Sequence, residues 1–339
     1  MPVWPHHRGW KGSERVGDGV EFPPYYYTGG EGAKLDSIFK YMSFLGMDYF
    51  DNPTARISMV DELNDPFECN LSNSIKPIIE KYIDGHDKVN TKTSLSKEKL
   101  HDYAEKYINA ALCGLGVISF SETHRNLLMW AHYANNHSGI CIEFESDWSK
   151  SKERLTGTNS KDIHSLRRVQ YDTQRVDFSK YTLNPFDLNE SLVELCTKQL
   201  TLKSDEWLYE KEHRYIMSFL EADYVKEKPN SVIPQKIVEE MNRRILECNL
   251  KKDSNGYITT DCDKLEFFYT TMKCNSFMYL IKVPPEKIKS IYLGHRFKDS
   301  DKDMLIEKIK YDSHPLHHIS VYKCSISDSR FELDIKQIY

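Results

Sequence analysis

The sequence predicts one α+β domain with a mixed or antiparallel sheet, preceded by an irregular N-terminal arm. Three observations lead there. Short strand-like apolar runs are interspersed with helical ones, without the regular βαβ alternation of a parallel sheet. No internal repeat or low-complexity tract divides the 339 residues, which have room for two average domains or one elaborated one. Forty per cent apolar and 12 per cent aromatic residues are ample for a sizeable core.

The elements follow in order. Residues 1–34 hold two Trp, seven Gly and the run PPYYY, the composition of an arm and not of a domain. Residues 35–339 form the domain. Strands are expected over 37–43 and 56–60, and Asn64-Asp-Pro-Phe-Glu68 is a turn, combining Asx chemistry with the pre-proline bias. Helical spacing covers 75–83 and 97–112. Strand 116–121, helix 125–136 and strand 139–144 come next, then a strand over 167–171 and a helix over 189–201. A strand over 214–220 precedes a helix over 234–247. Pro284-Pro285 stops a strand begun at 276; a strand at 288–293 and a helix at 301–309 follow. Residues 318–336 read as a C-terminal hairpin around Ser327-Asp328.

Charge and cysteine usage narrow the function classes. A net charge of −5 supplies no footprint for non-specific nucleic-acid binding. The eight cysteines include no CxxC pair, so they are expected to be reduced thiols, with neither a disulfide frame nor a structural metal. The longest near-continuous apolar run, 111–120, falls far short of the ~20 residues a spanning helix needs. Residues 1–30 lack the apolar core of a secretory signal. The expected setting is cytoplasmic, without a membrane partner.

Two blocks concentrate polar chemistry. Residues 117–145 pack Ser119, Ser121, Trp130, His132, Tyr133 and His137 between two strand-like runs, a mixture typical of a pocket or an interior hydrogen-bond network. Trp130 and His137, seven apart, would share a helical stripe. The second block, Asp205 to Arg214, carries four carboxylates and runs into a strand. If that segment is extended, Glu210 and Glu212 share a face. Either they form a catalytic pair, or one of them pairs with Arg214 in a buried structural bridge. His132 and Tyr133 are a proton-shuttling and ring-stacking pair, or interior groups satisfied by the backbone. Ser121 and Thr123 are expected to cap the following helix. Asp65 and Glu68 have the turn placement of metal ligands, but Asn-Asp-Pro accounts for Asp65 without a metal. No Gly-x-Ser-x-Gly elbow marks a serine hydrolase.

Seven ordered motifs carry a family resemblance: Phe39-Lys-Tyr41, Asn64-Asp-Pro-Phe-Glu68, Ser119-Phe-Ser121, Met129-Trp-Ala-His-Tyr133, His137-Ser-Gly139, Trp207-Leu-Tyr-Glu-Lys-Glu-His-Arg214 and Ile291-Tyr-Leu-Gly294. Over about residues 35 to 300 the chain resembles a bacterial family known as a domain of unknown function. That resemblance implies a place among mobile or anti-phage defence genes. More distantly the chain resembles the ADP-ribosyltransferase fold. Phe39-Lys-Tyr41 stands for its first strand, Ser119-Phe-Ser121 with helix 125–136 for its second element, and Glu210-Lys-Glu212 for its Glu-x-Glu. Lys40 or Tyr41 stands where that fold has Arg or His, and His-Gly-Thr is missing.

This resemblance implies NAD as substrate and no metal. It implies Glu212 as the key carboxylate, Glu210 beside it to position or deprotonate the acceptor, and His132 as a further catalytic group, with Lys40, Tyr41, Ser119, Ser121, Trp130, Tyr133 and Arg214 along the nucleotide. A protein, a nucleic acid or water would accept the transferred group. Two other classes stay open. One is a metal-dependent nuclease using Asp65, Glu143, Glu210 and Glu212. The other is a non-catalytic sensor or partner-binding module. Nothing in the sequence sets the oligomeric state.

Overall fold

A computed structural model describes residues 35–89, 96–148, 165–183, 188–259 and 264–339; the expected arm at 1–34 lies outside them. Among the described residues the chain runs β1 (Ser37–Met42), β2 (Thr54–Met59), α1 (Lys76–Val89), α2 (Lys97–Cys113), β3 (Leu115–Ser121), α3 (Leu127–Tyr133) and β4 (Ile140–Glu145). It continues with β5 (Leu166–Arg168), β6 (Gln170–Asp172), α4 (Leu188–Leu200), β7 (Leu202–Ser204), β8 (Glu212–Ser218) and β9 (Tyr224–Glu227). The last elements are α5 (Gln235–Glu247), β10 (Lys252–Asp253), β11 (Gly256–Ile258), α6 (Lys264–Thr271), β12 (Phe277–Lys282), β13 (Ile288–Leu293), α7 (Asp299–Ile309), β14 (Ser320–Ile326) and β15 (Leu333–Gln337).

One large sheet takes the order β10-β11-β9-β12-β2-β3-β1-β4-β13-β14-β15, with β8 added to β3 and β5 to β8. Its pairings are antiparallel except β13 with β14, so the fold is α+β with a mixed sheet. The short β6 and β7 pair in parallel apart from it. The C-terminal hairpin forms from β14 and β15, Ser325 facing Asp334.

The sheet forks at β3. One edge of β3 pairs with β8 along its whole length, from Leu115 opposite Ser218 to Ser121 opposite Glu212. On the other edge β2 takes Gly116 and Val117, whereas β1 takes only Ser121. Between these two pairings β1 and β2 diverge, and the carbonyl of Ser119 accepts its hydrogen bond from Lys40 Nζ at 3.0 Å. A side chain thus supplies what a strand would have given. The stem of the fork is well packed. Val117, Ile216, Leu200, Cys196 and Leu112 bury one cluster beneath α2 and α4. Phe120 meets Phe144 and Tyr215 edge to face with centroids 5.6 and 6.1 Å away.

Gly116 permits the close approach of β2. A Cβ there would lie 2.3 Å from Ile57 Cγ2 and 2.8 Å from the Phe219 ring, both of which are buried. Gly116→Ala is expected to cost ~1–3 kcal/mol by overpacking, read as a lower urea midpoint. An unchanged midpoint would show that the fork has slack.

Several local expectations need correction. Helix α3 is shorter than 125–136 because Asn135, Asn136 and His137 turn into the left-handed region, with φ of 46, 50 and 66°. His137 is therefore off the helix and stacks on His295 at 4.9 Å, sharing no stripe with Trp130. The helix cap is Asn126, whose Oδ1 accepts from the amides of Leu128 and Met129 at 2.9 and 3.3 Å, in place of Ser121 or Thr123. The strand expected over 167–171 breaks at Val169 into β5 and β6. Glu210 and Glu212 do not lie on an extended segment. Glu210 closes a 3₁₀ turn (Asp205–Glu210), Lys211 turns left-handed at φ 47°, and Glu212 opens β8.

Candidate functional site

The fork opens onto a cavity of about 170 Å³. Strand β1 contributes Phe39, Lys40 and Tyr41, β3 contributes Ser119 and Ser121, and α3 contributes Met129 and Tyr133. Lys203 of β7, Glu210, Glu212 and Arg214 of β8, and Asn64 and Glu68 of the Asn-Asp-Pro turn join the wall, with Ser58, Glu62, Leu63 and Phe120 between them. Strand periodicity explains Ser119 with Ser121 and Glu212 with Arg214, since alternate residues share a face. The four-residue step along a helix explains Met129 with Tyr133.

Five charged groups meet there with no more than 5 per cent exposure each: Glu68, Lys203, Glu210, Glu212 and Arg214. Arg214 is the strut. Its Nε and a terminal nitrogen donate to the two oxygens of Glu212 at 2.7 and 2.8 Å, and its other terminal nitrogen donates to the Leu200 carbonyl at 2.8 Å. It also bonds Glu68 Oε1. Lys203 donates to Glu210 Oε2 at 2.6 Å and to Glu212 Oε2 at 3.3 Å, with its ammonium 4.5 Å from the centre of a Trp207 ring. Glu210 takes its other bond from the Tyr133 hydroxyl, which in turn accepts from Asn64 Nδ2 at 3.0 Å. Ser121 donates to the Glu210 carbonyl at 2.7 Å and Asn126 to the Tyr209 carbonyl at 2.6 Å, so β3 and the α3 cap both fix the turn that presents Glu210.

The two neighbouring carboxyls are tuned in opposite directions. Burial alone would raise Glu212, but Arg214 and Lys203, with hydrogen bonds from Arg214 and Ser119, hold it down at about 2. Burial raises Glu210; Lys203 only partly opposes this, and the Glu212 charge adds to it. Glu68 is raised by burial despite Arg214. Burial lowers Lys40 to about 8, aided by Arg56 and opposed by Glu212. Two adjacent acids with separated pKa values are the usual condition for divided roles in acid–base or electrostatic catalysis.

Of the expected site residues, Lys40, Tyr41, Ser119, Ser121, Tyr133, Glu210, Glu212 and Arg214 share this one cavity. Some are already engaged. The Tyr41 hydroxyl donates to the Thr123 carbonyl at 2.9 Å, leaving its ring as the wall, and Arg214 is spent on its carboxylates. Trp130 and His132 are not part of the wall. One helical step carries Trp130 ~100° round from Met129. There it is fully buried, edge-on to Tyr41 at 5.2 Å, with Nε1 donating to the His124 carbonyl at 2.8 Å. His132 is exposed, its ring 6.1 Å from that of Tyr209. Glu143 is not on the wall either, and accepts from Tyr292 at 3.1 Å. Asp65 accepts from the Phe67 amide at 2.9 Å within its turn. Among the described residues, no group of three His, Cys, Asp or Glu side chains is arranged to hold a metal ion. No helix among them is long and apolar enough to cross a membrane.

Sequence reasoning missed Lys203 and Asn64 as members of the site. A lone lysine between an apolar helix and an acidic block was the available signal for Lys203.

Residues 129–215 match the profile of a family described as "Protein of unknown function (DUF2971)". The match supports a family of unknown function over a narrower span than 35 to 300, and includes Tyr133, Lys203, Glu210, Glu212 and Arg214. No curated protein and no solved structure matches the chain.

Proposed function

We propose that this pocket belongs to an ADP-ribosyltransferase-like enzyme that breaks an N-glycosidic bond of a nucleotide, with NAD as the first substrate to test. One observation carries the reading: the Glu210 carboxyl is buried on the wall of a cavity at a sheet fork, oriented by Tyr133 and Lys203. As nicotinamide departs, positive charge develops on the ribose ring, and a preorganised carboxylate in a dry pocket stabilises that charge most. Glu212 is the poorer candidate for contact, because Arg214 holds both its oxygens. Its role is to anchor Lys203, which keeps Glu210 in place. A cavity of about 170 Å³ lies below the ~300–1,000 Å³ typical of whole-ligand sites, so the reacting end of the nucleotide enters and the remainder lies outside.

The test is nicotinamide release from NAD by the purified protein, with nucleic acid and cell lysate supplied as acceptors. Release supports the reading; none under any of these conditions, with the protein folded, removes it. The pH profile adds a finer check. Glu210 is raised above the ordinary carboxyl range, so activity is expected to fall on acidification at a pH above 4.5, the ordinary glutamate value. The Tyr133 hydroxyl favours the ionised form. Tyr133→Phe should therefore shift that acid limb to higher pH while leaving a plateau. A limb that stays put means that another group titrates.

A further inference from the structure

Lys40 lies on the cavity wall where β1 leaves β3, and it is partly buried. Its Nζ donates to one acceptor, the Ser119 carbonyl at 3.0 Å, and sits 5.4 Å from the centre of the Phe120 ring. Among the described residues no carboxylate is within ion-pair distance of it, unlike Lys203 and Arg214. The glycosidic reading expects Lys40 along the nucleotide but gives its amine no part in breaking the bond.

Its surroundings select the ligand. An anion at Nζ would face Glu212, whose charge acts on Lys40, with Glu62, Glu68 and Glu210 on the same wall. The cations nearby are already engaged, Lys203 and Arg214 by Glu68, Glu210 and Glu212, and Arg56 by Glu62. Like charges in a poorly hydrated pocket repel strongly. A neutral carbonyl meets no such opposition and accepts from the amine. We propose that Lys40 is an amine nucleophile, and that the pocket takes a small neutral aldehyde, such as that of an open-chain sugar, as an imine on Nζ. The carbonyl carbon bonds to Nζ, and the carbonyl oxygen leaves as water with the two amine hydrogens; nothing is oxidised or reduced. Hydrolysis reverses the step. The inference is independent of the glycosidic reading.

Burial supports it, because desolvation activates lysines for this chemistry. With Lys40 lowered to about 8, about half of it is neutral at pH 8, against roughly 0.4 per cent of an ordinary exposed lysine. Lower basicity also weakens the nucleophile, by about tenfold if amines follow the thiol slope, leaving a net advantage of about tenfold.

The experiment uses the full chain at pH 8 with glycolaldehyde or 2-deoxyribose, and cyanoborohydride to reduce any imine to a stable amine. Peptide mass mapping compares Lys40 with exposed Lys76 and Lys236. Lys40 should be modified about tenfold faster, at a rate that saturates with aldehyde, and K40R should lose that adduct while the surface lysines keep theirs. Labelling of wild-type Lys40 no faster than of the exposed lysines, or without saturation, overturns the proposal whether or not the variant folds.

Discussion

Glu210→Gln is expected to abolish nicotinamide release while leaving the protein folded. The exchange preserves volume. A glutamine oxygen can accept from Lys203 while its NH₂ donates to the Tyr133 hydroxyl, whose own proton turns to the oxygen of a flipped Asn64 amide, so no buried polar atom is stranded. Burial already disfavours the ionised form of Glu210, so removing that charge should not destabilise the fold. What disappears is the negative charge facing the developing oxocarbenium ion, and removal of one such preorganised group typically costs ~10²–10³ in kcat. Glu212→Gln should behave differently. It strips Arg214 of its bidentate partner, so activity and thermal stability should fall together. Nicotinamide release measured beside a thermal melt distinguishes the two. A wild-type rate in Glu210→Gln would dismiss Glu210 from the chemistry, and a melt as damaged as that of Glu212→Gln would mark it as structural.

Much of the scaffold was legible because its signals are local. Strand β13 coincides with the apolar run 288–293, and α2 with the helical spacing from Lys97. Elements too short for a periodic signal were lost: β7 has three residues, β10 two, and α6 lies within a run that reads as neither helix nor strand. The site was half legible. The acidic block announced Glu210 and Glu212, but strand periodicity assumed an extended segment. The carboxylates meet on Lys203 through a 3₁₀ turn and a left-handed Lys211. The pocket itself has no local signature, because it depends on which edge residues of β3 are taken by β2 and which by β1. Register of that kind is set by packing across the whole sheet. His132 shows the converse failure. Its type and its neighbours suggested a site, while the face of α3 on which it falls is exposed.

Arg214→Met should be the most destabilising single change at this site. Arg214 is 1 per cent exposed and holds Glu212 and Glu68, which are themselves 3 and 1 per cent exposed. Methionine fills comparable space but leaves three buried carboxyls sharing one ammonium, and breaking a buried ion pair from one side costs ~3–5 kcal/mol. The pH dependence is the sharper sign of this mechanism. In the wild type Glu212 is depressed from 4.5 to about 2, so its stabilisation is complete above pH 4.5 and is lost as pH falls towards 2. Without Arg214 the dominant influence on Glu212 and Glu68 is burial, which raises both. Their protonation then relieves an uncompensated charge, so as pH drops from 7.5 to 5 the variant should gain more stability than the wild type, in which burial raises Glu68 and Glu210 but not Glu212. Urea unfolding at those two pH values checks the size and the sign together. A loss below ~1 kcal/mol, the scale of an exposed pair, or a pH dependence matching the wild type, would mean that Arg214 is a bystander and that the cluster is wetter than its burial implies.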